Sequence, residues 1–173
     1  MLKKLIQLCL VMLMVLPVFA QQPVKQKPSH LDSIYNPNAN AEAELATAIK
    51  KASVEKKHVL VQVGGNWCIW CKRLYKYVED STALRDYRDK NYVVYHLNYS
   101  KENQNLALLA KYGYPQRFGF PVLLVLDANG KLLHIQDTGQ LESADSYDKR
   151  KLMSFFKNWS PAALKPDQYK PKS

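Results

Sequence analysis

His58-Val59-Leu60-Val61-Gln62-Val63-Gly64-Gly65-Asn66-Trp67-Cys68-Ile69-Trp70-Cys71-Lys72 is the stretch whose reading decides the fold. The apolar run from His58 to Val63 predicts a buried strand, and Gly64-Gly65 breaks it. A helix then follows whose first turn carries two cysteines three apart. Unpaired backbone N–H groups and the helix dipole stabilise an anion at that end, so a thiol placed there ionises readily. Thiolate, not thiol, is the nucleophile in disulfide exchange. The spacing lets the second sulfur reach the first, so the pair can cycle between dithiol and disulfide. Two duller readings stand beside this one. Half a zinc site would need a second Cys or His pair, but the only other cysteine is Cys9, and His30, His58, His96 and His134 are scattered singly. No metal is therefore expected. A structural disulfide here would close a very short loop, and stabilisation by a cross-link grows with loop length.

The N-terminus sets the expected compartment. Lys3 and Lys4 precede an apolar run from Leu5 to Val15, followed by Leu16-Pro17-Val18-Phe19-Ala20 and Gln21-Gln22. That pattern predicts a signal peptide over residues 1–20, cleaved after Ala20. Retention as an anchor is the alternative, although the apolar stretch falls short of the roughly 20 residues a spanning helix needs. Cys9 would leave with the signal. Cys68 and Cys71 would then be the only thiols of a periplasmic or secreted chain, where disulfides form and persist. Losing Lys3, Lys4 and no acid takes the formal charge from +10 to +8. A basic chain suits nucleic acid or an anionic membrane. Here, however, lysines fall on helix faces (Lys50, Lys51, Lys56, Lys57) and in the tail from Lys165, and an exported protein rarely meets nucleic acid. Neither a nucleic-acid partner nor membrane insertion after signal cleavage is expected.

Outward from the cysteines, the rest of the chain reads as one domain. Residues 21–38 form a polar, Pro-containing linker, with a short strand predicted at Ile34-Tyr35. Leu45, Ala48, Ile49 and Ala52 recur at helical spacing behind an N-cap at Asn40. The cysteine helix runs to about Glu79, breaks at Asp80-Ser81-Thr82, and resumes from Ala83 to Arg88. Tyr92–Leu97 is a second strand, and Leu106, Leu109 and Ala110 mark a helix that Gly113 ends. Pro121–Leu126 is apolar throughout, the signature of a central strand. Asn129-Gly130 turns it into a hairpin with Lys131–Gln136. Leu152, Phe155, Phe156 and Trp159 line a last helix stopped by Pro161. The domain spans 39–160, and a polar Pro/Lys-rich tail fills 161–173. Helices alternating with strands, closed by a hairpin and helix, predict an α/β fold with a central mixed sheet covered on both faces.

This order of elements, with Trp67-Cys68-Ile69-Trp70-Cys71-Lys72 opening the second helix and Gly119-Phe120-Pro121 before a central strand, resembles the thioredoxin superfamily. The likeness runs from about residue 40 to 159. The broken helix at Val78-Glu79-Asp80-Ser81 and the run Leu108–Gly113 look most like the periplasmic reductase branch, which includes the C-terminal domain of the bacterial transmembrane disulfide reductase. The resemblance implies that Cys68 is the exposed attacking thiol and Cys71 the more buried resolving thiol. It implies that Trp67 shields the loop and presents a surface to partners. It also implies that Pro121 is a cis proline beside the disulfide, with the Phe120 backbone pairing with an extended substrate. A trans proline opening a strand is the alternative for Pro121.

Three departures from that pattern stand out. Gln62 occupies the position of the family's buried Asp, and His96 falls where the lysine partner of that Asp would be. His96 is either a hydrogen-bonded partner of Gln62 and substitute proton acceptor, or a half-buried strand residue. Ile69-Trp70 replaces the usual Gly-Pro between the cysteines. In addition, Tyr114-Pro115-Gln116-Arg117-Phe118-Gly119 lengthens the loop before Pro121, which with Trp67, Trp70 and Phe120 makes either a substrate rim or ordinary loop packing.

The function these residues imply is an exported thiol–disulfide oxidoreductase that reduces protein disulfides. No nucleotide or flavin fingerprint is present, so no bound cofactor is expected and electrons would come from a membrane reductase. The same chemistry reversed would make an oxidase or isomerase. A non-catalytic binding module with a structural disulfide is the contrasting class. A lone cysteine pair without a dimerisation extension favours a monomer.

Overall fold

The computed structural model describes Leu31 and residues 33–171. The predicted signal peptide, Cys9 and the first part of the linker lie outside the described residues, as do the last two residues of the tail. Among the described residues, five α-helices and six strands follow in the order α1 (Ala41–Glu55), β1 (His58–Gly64), α2 (Ile69–Asp80), α3 (Thr82–Asn91), β2 (Tyr92–Asn98), α4 (Leu106–Lys111), β3 (Val122–Leu126), β4 (Leu132–Asp137), β5 (Glu142–Ser143), β6 (Ser146–Tyr147) and α5 (Lys149–Asn158). No described helix is long and apolar enough to cross a membrane.

The sheet order is β2-β1-β3-β4, with β1 parallel to β2 and the other pairs antiparallel. Successive strand side chains point to opposite faces, and this alternation builds two separate cores. Val59, Val61 and Val63 join Val122, Leu124 and Leu126 beneath α1 and α4. Leu60, Leu123 and Val125 face the other way, against Leu74 and Val78 of α2, Leu84 of α3 and Phe155 and Phe156 of α5. All of β3 is buried, as a central strand must be when helices cover both faces. The expected α/β fold with a mixed sheet between two helical layers is the one observed.

Local signals set the element ends. Asn40 caps α1 by accepting from the Ala43 N–H at 3.1 Å. The break between α2 and α3 narrows to Ser81, which ends one helix and caps the next. The third strand opens at Val122, one residue after the predicted start. Gly130 takes φ 80° in the turn between β3 and β4, a conformation that suits glycine. Residues beyond α5 include a 3-10 turn at Pro166–Tyr169.

One element is corrected. Ile34-Tyr35 forms a bend rather than a strand. The Tyr35 N–H donates to Asn66 Oδ1 at 3.1 Å, and the Tyr35 carbonyl accepts from Asn66 Nδ2 at 2.8 Å. A side-chain amide thus takes both backbone groups that a strand neighbour would have used. The consequence is that Tyr35, in a segment without any periodic signal, is only 1 % exposed.

Candidate active site

The site sits where β1 ends at its carboxyl edge and α2 begins. Cys68 is the N-cap of α2 and has extended backbone angles, while Cys71 lies in the first turn. The two are joined as a disulfide with Cα atoms 5.2 Å apart. The Cys68 sulfur also accepts from the Cys71 N–H at 3.1 Å, so it takes one of the helix's unpaired donors. A thiolate at Cys68 would keep that hydrogen bond and gain from the dipole. No acid lies in the first turn to oppose it.

Cys68 is 5 % exposed and Cys71 is fully buried. Cys68 is the more accessible of the two, but in the disulfide form it is far less open than an exposed thiol. Its cover is specific: the two cysteines and Tyr35 form one buried cluster against which Ile34, Trp70 and Phe120 pack.

The predicted aromatic residues divide between two places. Trp67 is 59 % exposed and meets Phe120 edge-on, with ring centroids 5.5 Å apart. Its indole N–H donates to the Tyr99 carbonyl at 2.7 Å, which fixes the ring's orientation at the surface. Trp70, also packed on the cysteine cluster, stands edge-on to Tyr147 at 5.8 Å, with the Arg73 guanidinium 4.8 Å over its ring. The Phe120–Pro121 peptide is cis, and the Pro121 carbonyl accepts from Thr138 Oγ1 at 2.5 Å. Of the longer loop, Pro115–Phe118 form a 3-10 turn in which Arg117 stacks on Phe118. Beside Trp67 opens a groove of about 530 Å³ lined by Pro37, Asn66, Tyr99 and Lys101 among others.

Gln62 and His96 are register partners on neighbouring parallel strands, and both point to the α2 side. They are not joined by the hydrogen bond considered from sequence. The Gln62 amide nitrogen donates to Tyr35 Oη at 2.6 Å and to the Cys71 carbonyl at 3.3 Å. His96 stands edge-on between the rings of Tyr35 and Tyr75, 5.6 Å from each. The side chain of Gln62 is drawn to Tyr35, a residue that pattern reading did not place near the site. A cavity of about 20 Å³ touches both Gln62 and His96, room for about one water molecule.

Burial pushes the His96 imidazole from 6.5 down to about 4, with the Arg88 guanidinium acting in the same direction and Glu79 against it. His96 is therefore neutral at neutral pH. Between about pH 6.5 and 4 the unfolded chain binds a proton at this residue that the folded chain does not. Stability from this group is thus complete above 6.5 and declines as the pH falls towards 4. Urea unfolding across that window should show the decline in the parent and a shallower one in His96→Leu. An unchanged slope in the variant would assign the acid sensitivity to other groups.

Tyr35, Asn66, Gly64 and Tyr99 contribute to the site without having been singled out from sequence. For Gly64 a signal existed, the glycine directly before the cysteine loop. Tyr35 was read only as part of a short strand, with no signal tying it to the cysteines.

The thioredoxin-like domain family matches residues 45–161. Among solved structures, a disulphide isomerase from Xylella fastidiosa Temecula1 is similar at 25% identity, with a TM-score of 0.64 over 72% of this chain and 94% of the other. The reduced C-terminal domain of DsbD from Neisseria meningitidis shares the fold at 21% identity and a TM-score of 0.52, covering 68% of this chain and 96% of that one. The DsbH oxidoreductase does so at 18% identity and a TM-score of 0.50, over 83% and 95%. No curated protein sequence matches the chain.

Proposed function

This chain belongs to the thioredoxin-like domain family, and from that membership we propose that it is an exported thiol–disulfide oxidoreductase that reduces protein disulfides through Cys68 and Cys71. The observation that carries the reading is the disulfide itself, with one sulfur at the helix N-cap and the other buried in the first turn. An N-cap sulfur is the one that gains from ionising, which makes Cys68 the attacking group. In the reduced protein its thiolate attacks a client disulfide, a mixed disulfide forms, and Cys71 resolves it to release the client as a dithiol. Phe120 packs against the cysteine cluster and Trp67 against Phe120; with Pro121 they would receive the client's flanking backbone, while Trp70 would support the loop.

Export rests on the signal pattern of residues 1–20, with 21–38 as linker, 39–160 as the catalytic domain and 161–173 as tail. A membrane reductase would return the electrons, and the working unit would be a monomer without a bound cofactor. Isomerisation is the second reading, favoured by the likeness to the Xylella disulphide isomerase. Both readings need covalent capture of clients through Cys68, which removal of Cys71 tests. A structural disulfide in a binding module would capture nothing.

A further inference from the structure

We propose that the Tyr35 hydroxyl, held in place by Gln62, is the hydrogen-bond donor that stabilises the Cys71 thiolate when it resolves the mixed disulfide. The assignment rests on the dithiol exchange proposed above. Cys71 is fully buried, and a buried thiol ionises reluctantly because its anion loses hydration. Some donor must replace that water. Gln62 cannot be the one, since its amide nitrogen is committed to Tyr35 Oη and to the Cys71 carbonyl. Neither can it act as a base.

The phenol meets the requirement on three grounds. First, its position is fixed: Asn66 holds the Tyr35 backbone from both sides, and Gln62 holds the hydroxyl oxygen at 2.6 Å. Because the oxygen accepts that bond, the phenol keeps its own proton to give. Second, it lies beside the right sulfur, in the same buried cluster. A single point above the Gly64 backbone, where a Cβ would stand, is 2.5 Å from Cys71 Sγ and 2.8 Å from Tyr35 Oη. Third, burial holds the phenol's pKa well above its ordinary value, so it remains a donor at any working pH. The neutral His96 ring lies edge-on to the Tyr35 ring rather than on the sulfur.

The Cys71 thiolate, its proton lost to water, attacks Cys68 Sγ, and the Cys68–Cys71 bond forms as the bond from Cys68 to the client sulfur breaks. The client leaves as a thiolate that takes a proton from water. The protein's dithiol has been oxidised and the client's disulfide reduced. Tyr35 gives a hydrogen bond throughout and no proton.

Tyr35→Phe removes only the hydroxyl. We expect release of a model client from the mixed disulfide to slow about tenfold at neutral pH, the value of one hydrogen bond to a charged acceptor, while attack by Cys68 stays within about twofold. The pH profile of release should move up by about one unit. Equal slowing of both steps, or a fixed profile, would overturn the assignment. A second readout needs no turnover: in Cys68→Ser, the ultraviolet titration of the lone Cys71 thiol should move up when Tyr35→Phe is added. Were the parent unable to exchange with any client, the redox reading would fall, while this titration would still decide the hydrogen bond. Should Tyr35→Phe not fold, a ring-fluorinated tyrosine at position 35, a stronger donor of nearly the same shape, should lower the Cys71 titration. No movement there would equally overturn the proposal.

Discussion

In Cys71→Ser, client proteins should accumulate on Cys68 as stable mixed disulfides. The attacking sulfur keeps its N-cap position, because the backbone N–H of residue 71 that donates to it is retained. What is lost is the only thiol able to reach Cys68 from within the same helical turn. An intramolecular nucleophile acts at an effective concentration that external thiols do not approach, so release should fall by several orders of magnitude. Non-reducing gels of the variant expressed with its signal intact should show adducts that collapse on adding reductant. Cys68→Ser should show almost none, because Cys71 is fully buried beneath Tyr35 and Phe120. Adducts forming mainly through Cys71 would reverse the two roles, and their absence from both variants would favour the binding-module reading.

Gly64→Ala should be a strongly damaging single-methyl change at the site. The added carbon would stand 2.5 Å from Cys71 Sγ and 2.8 Å from Tyr35 Oη, distances that real Cβ atoms essentially never show. Neither neighbour is a loose end. The sulfur is tied into the disulfide, and the hydroxyl is tied to Gln62. Gly64 itself is fixed as the last residue of β1, paired with Asn98. Overpacking of this kind costs about 1–3 kcal/mol. The loss should be larger in the oxidised protein than in the reduced one, where the freed Cys71 side chain can rotate away. Urea unfolding of both redox forms measures it. Equal and negligible losses would mean that the segment carrying Tyr35 yields easily, which its two bonds to Asn66 argue against.

Gly64 also shows where pattern reading stops. Read as a strand breaker, it is in fact a strand residue whose missing side chain makes room for a sulfur and a phenol from elsewhere in the chain. Local signals carried most of the fold. The uninterrupted apolar run of β3, the Asn40 cap, the Asn129-Gly130 turn and the 3.6-residue spacing of α5 are each set by nearby residues. The cysteine helix was equally visible, although the role of Cys68 as its cap emerges only from the backbone angles.

The polar floor of the site was the part hidden in sequence. The family resemblance is what singled out Gln62 and His96 together, and the two are register partners on β1 and β2. Whether they bond depends on a third residue, Tyr35, 27 positions before Gln62 in a segment with no periodicity. Its burial follows from one side-chain amide, Asn66, which no local pattern announces. The short β5–β6 hairpin escaped for the same reason. Two-residue strands carry no period, yet Tyr147 of β6 packs against Trp70 and donates to its carbonyl at 3.4 Å.

The reduction potential of the Cys68–Cys71 pair, measured on the chain lacking residues 1–20 in glutathione buffers, tests the central claim most directly. A redox-active pair with one sulfur stabilised as a thiolate should equilibrate fully with glutathione at a potential above about −300 mV, the upper limit typical of structural disulfides. A pair that resists glutathione and lies below that value would contradict the account, whatever the likeness of its fold.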